Sequence, residues 1–236
     1  MIAWFIGNNF NGAPLDSNIS KVEYYPIGMK SINAVARAAG KDFFQTANLR
    51  QKHTGTAVFV DNFTFCNIEA DGMVATNPEL LLCIRTADCA PILLRDNINK
   101  VIGAIHAGWR GALNGVIENT VNLMIEHGAD VRHINAFTGP MMQKESFEVR
   151  QDMIDLFIEK DKKFNCFFSQ SIPNTGEKSY FFFKDFLRYK LGAVCKIQNT
   201  NFSKINTYTD EKWHSYRRAA HQKLGHVGLN LSVISL

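Results

Sequence analysis

The sequence predicts an α+β fold built on mixed β-sheets, and three observations carry that prediction. Nine short β-rich runs outnumber four segments with helical spacing, the two kinds do not strictly alternate, and no repeat or low-complexity linker divides the chain. Strict alternation would predict a doubly wound parallel sheet; its absence argues for mixed pairing in a single domain over residues 1–236. The 236 residues are 46% apolar and 20% charged, ample for one large core. The 18 phenylalanines are read as core filling.

The first helix is predicted where Ile32, Val35, Ala36 and Ala39 keep helical spacing between Ser31 and Gly40. Strands follow at 56–61, 72–76, 80–84, 91–95 and 100–107, where apolar and β-branched residues run between turn formers. A second helix gathers Leu113, Val116, Ile117, Val121 and Met124 on one face and stops at Gly128. Residues 134–138 predict a strand, and Val149, Met153, Leu156 and Phe157 a third helix. Within 162–178, Pro173-Asn174-Thr175-Gly176 predicts a loop. A strand at 180–183, a fourth helix through Phe183, Phe186, Leu187 and Leu191 to Gly192, and strands at 194–198 and 229–235 complete the chain.

Several classes of function drop out. The longest apolar run, near Leu80-Leu81-Leu82-Cys83-Ile84, is far short of the ~20 residues a membrane helix needs. Residues 1–7 have no basic n-region, so no signal peptide is expected. The net charge is 26 − 22 = +4, with the basic residues scattered, which argues against a nucleic acid partner. The 5 cysteines are odd in number and lack a Cys-x-x-Cys pair. Free, mostly buried thiols and a reducing cytoplasm are expected.

Chemistry concentrates at 85–111. His106 ends a buried-type strand, where a side chain faces a cleft. Gly108 and Gly111 bracket a turn into a helix near Ala112, and Arg110 adds a positive charge, a combination that suits an anion. Cys89 follows Asp88 at a loop–strand junction. His53 stands in Arg50-Gln51-Lys52-His53-Thr54-Gly55, at the entrance to a strand. Each has a plainer structural reading: a satisfied polar histidine, a simple connection, a core cysteine. Spacing alone does not bring 53, 89 and 106 together. If they met, two imidazoles and a thiolate would suit Zn²⁺ with a fourth position open, and a single copper on the same donors is the chemical alternative.

Thr86-Ala87-Asp88-Cys89-Ala90-Pro91 and His106-Ala107-Gly108-Trp109-Arg110-Gly111 resemble the two signature motifs of the YfiH-type, laccase-domain family. That family was first called multicopper polyphenol oxidase and later described as purine nucleoside phosphorylase. Gln51-Lys52-His53, Thr138-Gly139-Pro140, Phe147-Glu148-Val149, Thr207-Tyr208 and Ser215-Tyr216-Arg217-Arg218 support the resemblance, which covers about residues 30–236. Residues 1–29 diverge, and Thr54, Met141, Asn206 and Leu229 depart from the family pattern.

The resemblance implies mixed sheets layered with helices and a metal, zinc or copper, on His53, Cys89 and His106. It implies phosphorolysis of adenosine, inosine and methylthioadenosine, with deamination of adenosine. The partners are then a small-molecule nucleoside and phosphate, on a monomer or homodimer. Gly108, Gly111, Arg110 and Arg217, with Arg218, become candidates for phosphate, and Gln51 for the substrate. For the two late arginines a surface ion pair or a loop anchor is the other reading. Asp88 is a candidate to orient a ligand histidine or a water, or else to cap a turn. Four other functions are weighed: a Cys89–His106 hydrolase, peptidoglycan-precursor editing, a non-catalytic zinc-binding protein and a mononuclear copper polyphenol oxidase. A four-copper oxidase would need more imidazoles than the 7 histidines, mostly scattered, provide.

Overall fold

Two six-stranded mixed sheets lie face to face, with helices packed on both outer faces. The computed structural model describes residues 2–7, 23–26, 32–42, 45–169, 178–225 and 227–236. In chain order the elements begin with β1 (Ile2–Gly7), β2 (Glu23–Pro26), α1 (Ile32–Ala38), β3 (Thr46–Arg50), β4 (Ala57–Phe59) and β5 (Thr64–Glu69). Next come β6 (Gly72–Ala75), β7 (Leu81–Thr86), β8 (Ala90–Asp96), β9 (Val101–Ala107), α2 (Trp109–Leu113) and α3 (Val116–Glu126). The last third holds β10 (Ile134–Thr138), β11 (Glu148–Val149), α4 (Gln151–Lys160), β12 (Ser179–Tyr180), α5 (Phe183–Arg188), β13 (Asn199–Phe202), α6 (Tyr216–His221) and β14 (Asn230–Ser235).

The first sheet runs β2-β1-β14-β7-β3-β5 and the second β13-β10-β8-β9-β6-β4. Side-chain alternation sorts the core into three layers. Leu82 and Ile84 of β7 meet Ile102 and Ala104 of β9 between the sheets. Leu81 and Cys83 turn the other way and bury Val35 and Ala36 of α1. Val101, Ile105 and Ala107 face Val116, Ile117 and Met124 of α3. Both faces of β9 are covered, which is why its run is apolar up to His106.

Most of the described phenylalanines fill the core, Phe63 being exposed. Phe157 stands edge-on to Phe164, Phe168, Phe181 and Phe186, with centroids 5.0–6.2 Å apart. Each such pair adds roughly 0.5–1.5 kcal/mol beyond area burial.

The structure differs from expectation in definite places. The strand expected at 194–198 is not formed. Tyr189–Val194 is a π-helical turn continuing α5, and the strand follows at β13. That strand reads Asn-Thr-Asn-Phe because it is a partly exposed edge. The run 180–183 yields only the two-residue β12, and Phe183 already opens α5. The helix expected near Ala112 starts at Trp109 and breaks before Gly115, whose φ of 93° suits glycine. Strands β1, β2, β3, β5 and β11 and helix α6 are additional to those read from the sequence, and Val149, expected to open the third helix, lies in β11, with α4 starting at Gln151. In β3, Thr46 and Asn48 are buried, so burial does not follow polarity there. Cys166 is exposed, against the expectation of mostly buried thiols, and Cys83, Cys89 and Cys195 are also free. The loop expected at 173–176 lies outside the described residues, as does most of 1–29. Among the described residues no helix is long and apolar enough to cross a membrane.

Candidate metal centre

The topology itself collects the site. Strands β3, β5 and β7 are parallel, so their C-terminal ends share one edge of the first sheet. From that edge the chain crosses three times to the second sheet: β3 to β4, β5 to β6, and β7 to β8. His53, Asp71 and Cys89 stand in those three crossings. Strand β9 runs antiparallel to β6 and β8, so its C-terminal end returns to the same edge, carrying His106. By alternation His106 shares the inter-sheet side of β9 with Ile102 and Ala104.

Asp71 organises the cluster. It is fully buried, and its carboxylate accepts from the backbone N–H of Lys52, His53 and Thr54 and from the Thr54 hydroxyl. These bonds hold His53 at a φ of 61°, a left-handed conformation uncommon outside glycine. Asp71 Oδ1 also accepts from His106 Nδ1 at 2.7 Å. That bond leaves His106 Nε2 free to act as a ligand.

Cys89 Sγ lies 3.7 Å from His53 Nε2. The His53 and His106 rings meet edge to face with centroids 4.7 Å apart. One ligand atom from each of His53, Cys89 and His106 falls within 4.8 Å of the others. Zinc arms of roughly 2.1 and 2.3 Å at a tetrahedral angle give a ligand separation of about 3.6 Å, so the donor set and spacing fit the ion. Gly108 completes the cradle: a Cβ there would stand 2.6 Å from His53 Cδ2 and 3.1 Å from Cys89 Sγ.

The charges reinforce one another. Burial opposes ionisation of Cys89, but the charge of His106 and hydrogen bonds with both imidazoles outweigh it and hold the thiol at about 6. Burial also opposes charge on His106, yet Cys89 and Asp71 raise it to about 9. For Asp71, burial is outweighed by hydrogen bonds from His106 and Thr54, which lower it to about 2.

A cleft of about 580 Å³ opens onto these residues, within the size range of small-molecule sites. Trp109, Met142, Phe147 and Phe183 give it apolar walls, and Gln51, Arg85, Arg110 and Arg217 polar ones. Thr86 also lines it. Its hydroxyl is buried without a hydrogen-bond partner among the described residues.

The remaining candidates have definite places. Gln51 brackets the Arg85 backbone, donating to its carbonyl at 2.6 Å and accepting from its N–H at 2.9 Å. The Asp88 carboxylate accepts from Thr207 Oγ1 and Arg217 N, both at 2.7 Å, and so caps the start of α6; the bond to His106 comes from Asp71. The Arg217 guanidinium donates to the Glu148 carbonyl, and that of Arg218 to the carbonyls of Thr207, Tyr208 and Trp213. Arg110 lies over the Trp109 ring at 4.1 Å. Gly111 is buried in α2, where a Cβ would stand 2.8 Å from the Thr54 carbonyl, so it faces the His53 loop. The sequence reading passes over Asp71, because Ile-Glu-Ala-Asp-Gly between two apolar runs reads as an ordinary turn.

The family model for multi-copper polyphenol oxidoreductase laccase matches residues 29–236. The chain belongs to that laccase family. Its similarity to a purine nucleoside phosphorylase of Rickettsia prowazekii is 36% identity over 190 residues, 79% of this chain and 76% of that protein. With a purine nucleoside phosphorylase of Haemophilus influenzae it shares 30% over 171 residues, 72% of this chain and 68% of that one. A crystal structure of a Neisseria meningitidis protein aligns with a TM-score of 0.71 at 26% identity, over 86% of this chain and 78% of that one. YfiH of Bacillus licheniformis shares the fold, with a TM-score of 0.74 at 24% identity over 86% of this chain and 79% of that one. The α+β architecture of mixed sheets between helices is thus the fold of the YfiH-type laccase family.

Proposed function

We propose that this protein is a zinc-dependent purine nucleoside phosphorylase acting on adenosine, inosine and methylthioadenosine in the cytoplasm, with adenosine deaminase activity in the same cleft. The observation that carries this reading is the convergence of His53, Cys89 and His106 at a cleft of nucleoside size. The relatives' names support the reaction class. In phosphorolysis the C1′–N9 bond breaks with its electron pair leaving on the base. A phosphate oxygen bonds C1′, and the proton of that phosphate hydroxyl ends on the base. Adenosine and hydrogen phosphate thus give adenine and ribose 1-phosphate. In deamination water replaces the C6 amino group and ammonia leaves.

His53, Cys89 and His106 would hold the metal, which when bound would supply Lewis acidity beside the substrate; copper is the alternative ion on the same donors. Asp71 keeps the Nδ1 proton of His106 in place. Trp109 and Phe147 offer apolar surface to a purine and exclude water, with Phe183 packed behind Phe147. Arg110 and Arg217 offer positive charge at the rim. The orphan Thr86 hydroxyl accepts or donates one hydrogen bond to the substrate.

The decisive measurement is metal analysis of wild type and His53→Ala, with phosphate-dependent adenine release from adenosine. Wild type holds zinc, and His53→Ala loses it together with at least about a hundredfold in activity. A metal-free wild type that is fully active would overturn the reading. Thr86→Val raises the nucleoside KM about 3–10-fold, the worth of one hydrogen bond, with zinc content unchanged. An unchanged KM removes Thr86 from the substrate contacts. A second reading, a Cys89–His106 hydrolase, draws on the same cluster, in which Cys89 Sγ and a ring nitrogen of His106 lie within 4.8 Å of each other. Turnover that survives a chelator but not a thiol alkylator would support it.

A further inference from the structure

A second recess opens beside the cleft. It measures about 420 Å³ and shares Trp109, Arg110, Phe147 and Arg217 with the cleft. Its far wall is the junction of β11 with α4, which carries Arg150, and His221 of α6. The recess is therefore reached by whatever occupies the cleft, yet has walls of its own.

Its charge balance is uneven. Two acids line it: the Glu148 carboxylate pairs with Lys178 at 2.7 Å, and Asp152, whose Oδ1 accepts from the Met153 N–H of its own helix at 2.9 Å, keeps its charge, so one negative charge stands against three arginines. Three arginines line it, and among the described residues none of them lies within ion-pair distance of a carboxylate. Two of the three are held without being neutralised. Arg217 is fixed by the neutral Glu148 carbonyl, and Arg110 by the face of Trp109. His221 Nδ1 meets the Tyr208 hydroxyl at 3.0 Å, which leaves Nε2 for a ligand. Cations oriented in advance by neutral partners lose little freedom on taking an anion. A planar guanidinium suits the oxygens of a tetrahedral phosphate.

We propose that this recess binds a phosphate group, held by Arg110, Arg150, Arg217 and His221, while the adjoining cleft holds the nucleoside. The inference rests on the phosphorylase reading for the occupant of the cleft, but assigns Arg150 and His221 a role of their own. The group is either inorganic phosphate or the phosphate of a nucleoside monophosphate.

Inorganic phosphate and adenosine 5′-monophosphate are titrated separately by calorimetry into wild type, Arg150→Gln and His221→Gln, all zinc-loaded. Arg150 and His221 are exposed, so both variants keep the wild-type melting temperature. In both variants phosphate binding weakens at least about tenfold, while zinc content and the adenosine KM stay at wild-type values. If only the monophosphate is weakened, the recess holds a phosphate carried by the substrate. If both ligands bind both variants within twofold of wild type, the inference is overturned, even with phosphorolysis intact. If wild type releases no adenine but its phosphate binding still depends on Arg150 and His221, the recess stands and the phosphorylase reading falls.

Discussion

Asp71→Ala is expected to lower folding stability by about 3–5 kcal/mol and zinc affinity by about 10–100-fold. The first effect follows from what the carboxylate does alone. Three consecutive backbone N–H groups, one hydroxyl and one imidazole converge on two oxygens with no exposure to solvent. Removing them takes the carboxylate partner from buried His106, leaves three loop N–H groups without their acceptor, and frees the loop that holds His53 at positive φ. The second effect follows from orientation, because among the described residues the bond to Asp71 is the one that fixes the Nδ1 proton of His106. Asp71→Asn keeps one acceptor oxygen and is expected to fall between wild type and Ala.

The pH dependence has a definite sign. Asp71 is lowered from 3.8 to about 2, so its contribution is complete above 3.8 and is lost as pH falls toward 2. The linked stability is about 2 kcal/mol. Urea denaturation of wild type and Asp71→Asn between pH 7 and pH 2 therefore shows a difference that is constant down to about pH 4 and shrinks below it. An Asp71→Ala protein with wild-type stability and zinc affinity would show that the carboxylate does not organise the cluster.

Much of the site was legible in the sequence because its signal is local. His106 ends an apolar run, Cys89 opens one, and both sit in long motifs. What the sequence could not supply is the convergence, which is a property of topology. It depends on β3, β5 and β7 being parallel and on each crossing to the other sheet at the same edge. Strand β3 is hard to read because only Ala47 and Leu49 of its five residues are apolar and its buried Thr46 and Asn48 are polar, and β5, Thr-Phe-Cys-Asn-Ile-Glu, lacks a strict alternation. With those strands unseen, the β5–β6 crossing was unseen, and Asp71 with it. The helical stripes fared better, since Val116, Ile117, Val121 and Met124 do face one core. The strand expected at 194–198 failed for a related reason. Its apolar residues follow the aromatic cluster around Phe186 rather than a sheet face, and a strand paired on one side only can be polar.

The same substitution at two glycines around His53 should give opposite phenotypes. Gly108→Ala is expected to fold with stability within about 1 kcal/mol of wild type and to lose at least about a hundredfold in zinc affinity. At φ −76° and ψ 161° alanine is unstrained there, and it reduces the entropy of the unfolded chain. The new methyl instead meets the tip of an exposed imidazole, His53 Cδ2 at 2.6 Å, and the Cys89 sulfur at 3.1 Å. His53 can swing toward solvent at little cost to folding, because its backbone stays tied to Asp71. The ring then leaves the position from which it would meet a metal. At Gly55 the nearest atom is the Asn114 carbonyl oxygen, 2.3 Å from the added carbon, and a backbone atom has no rotamer to escape into. Gly55→Ala should therefore cost about 1–3 kcal/mol of stability through displacement of the α2–α3 turn. Paired denaturation curves and zinc titrations of the two variants separate these effects. If Gly108→Ala binds zinc as wild type does, His53 is not a ligand, and the three-residue centre is reduced to Cys89 and His106.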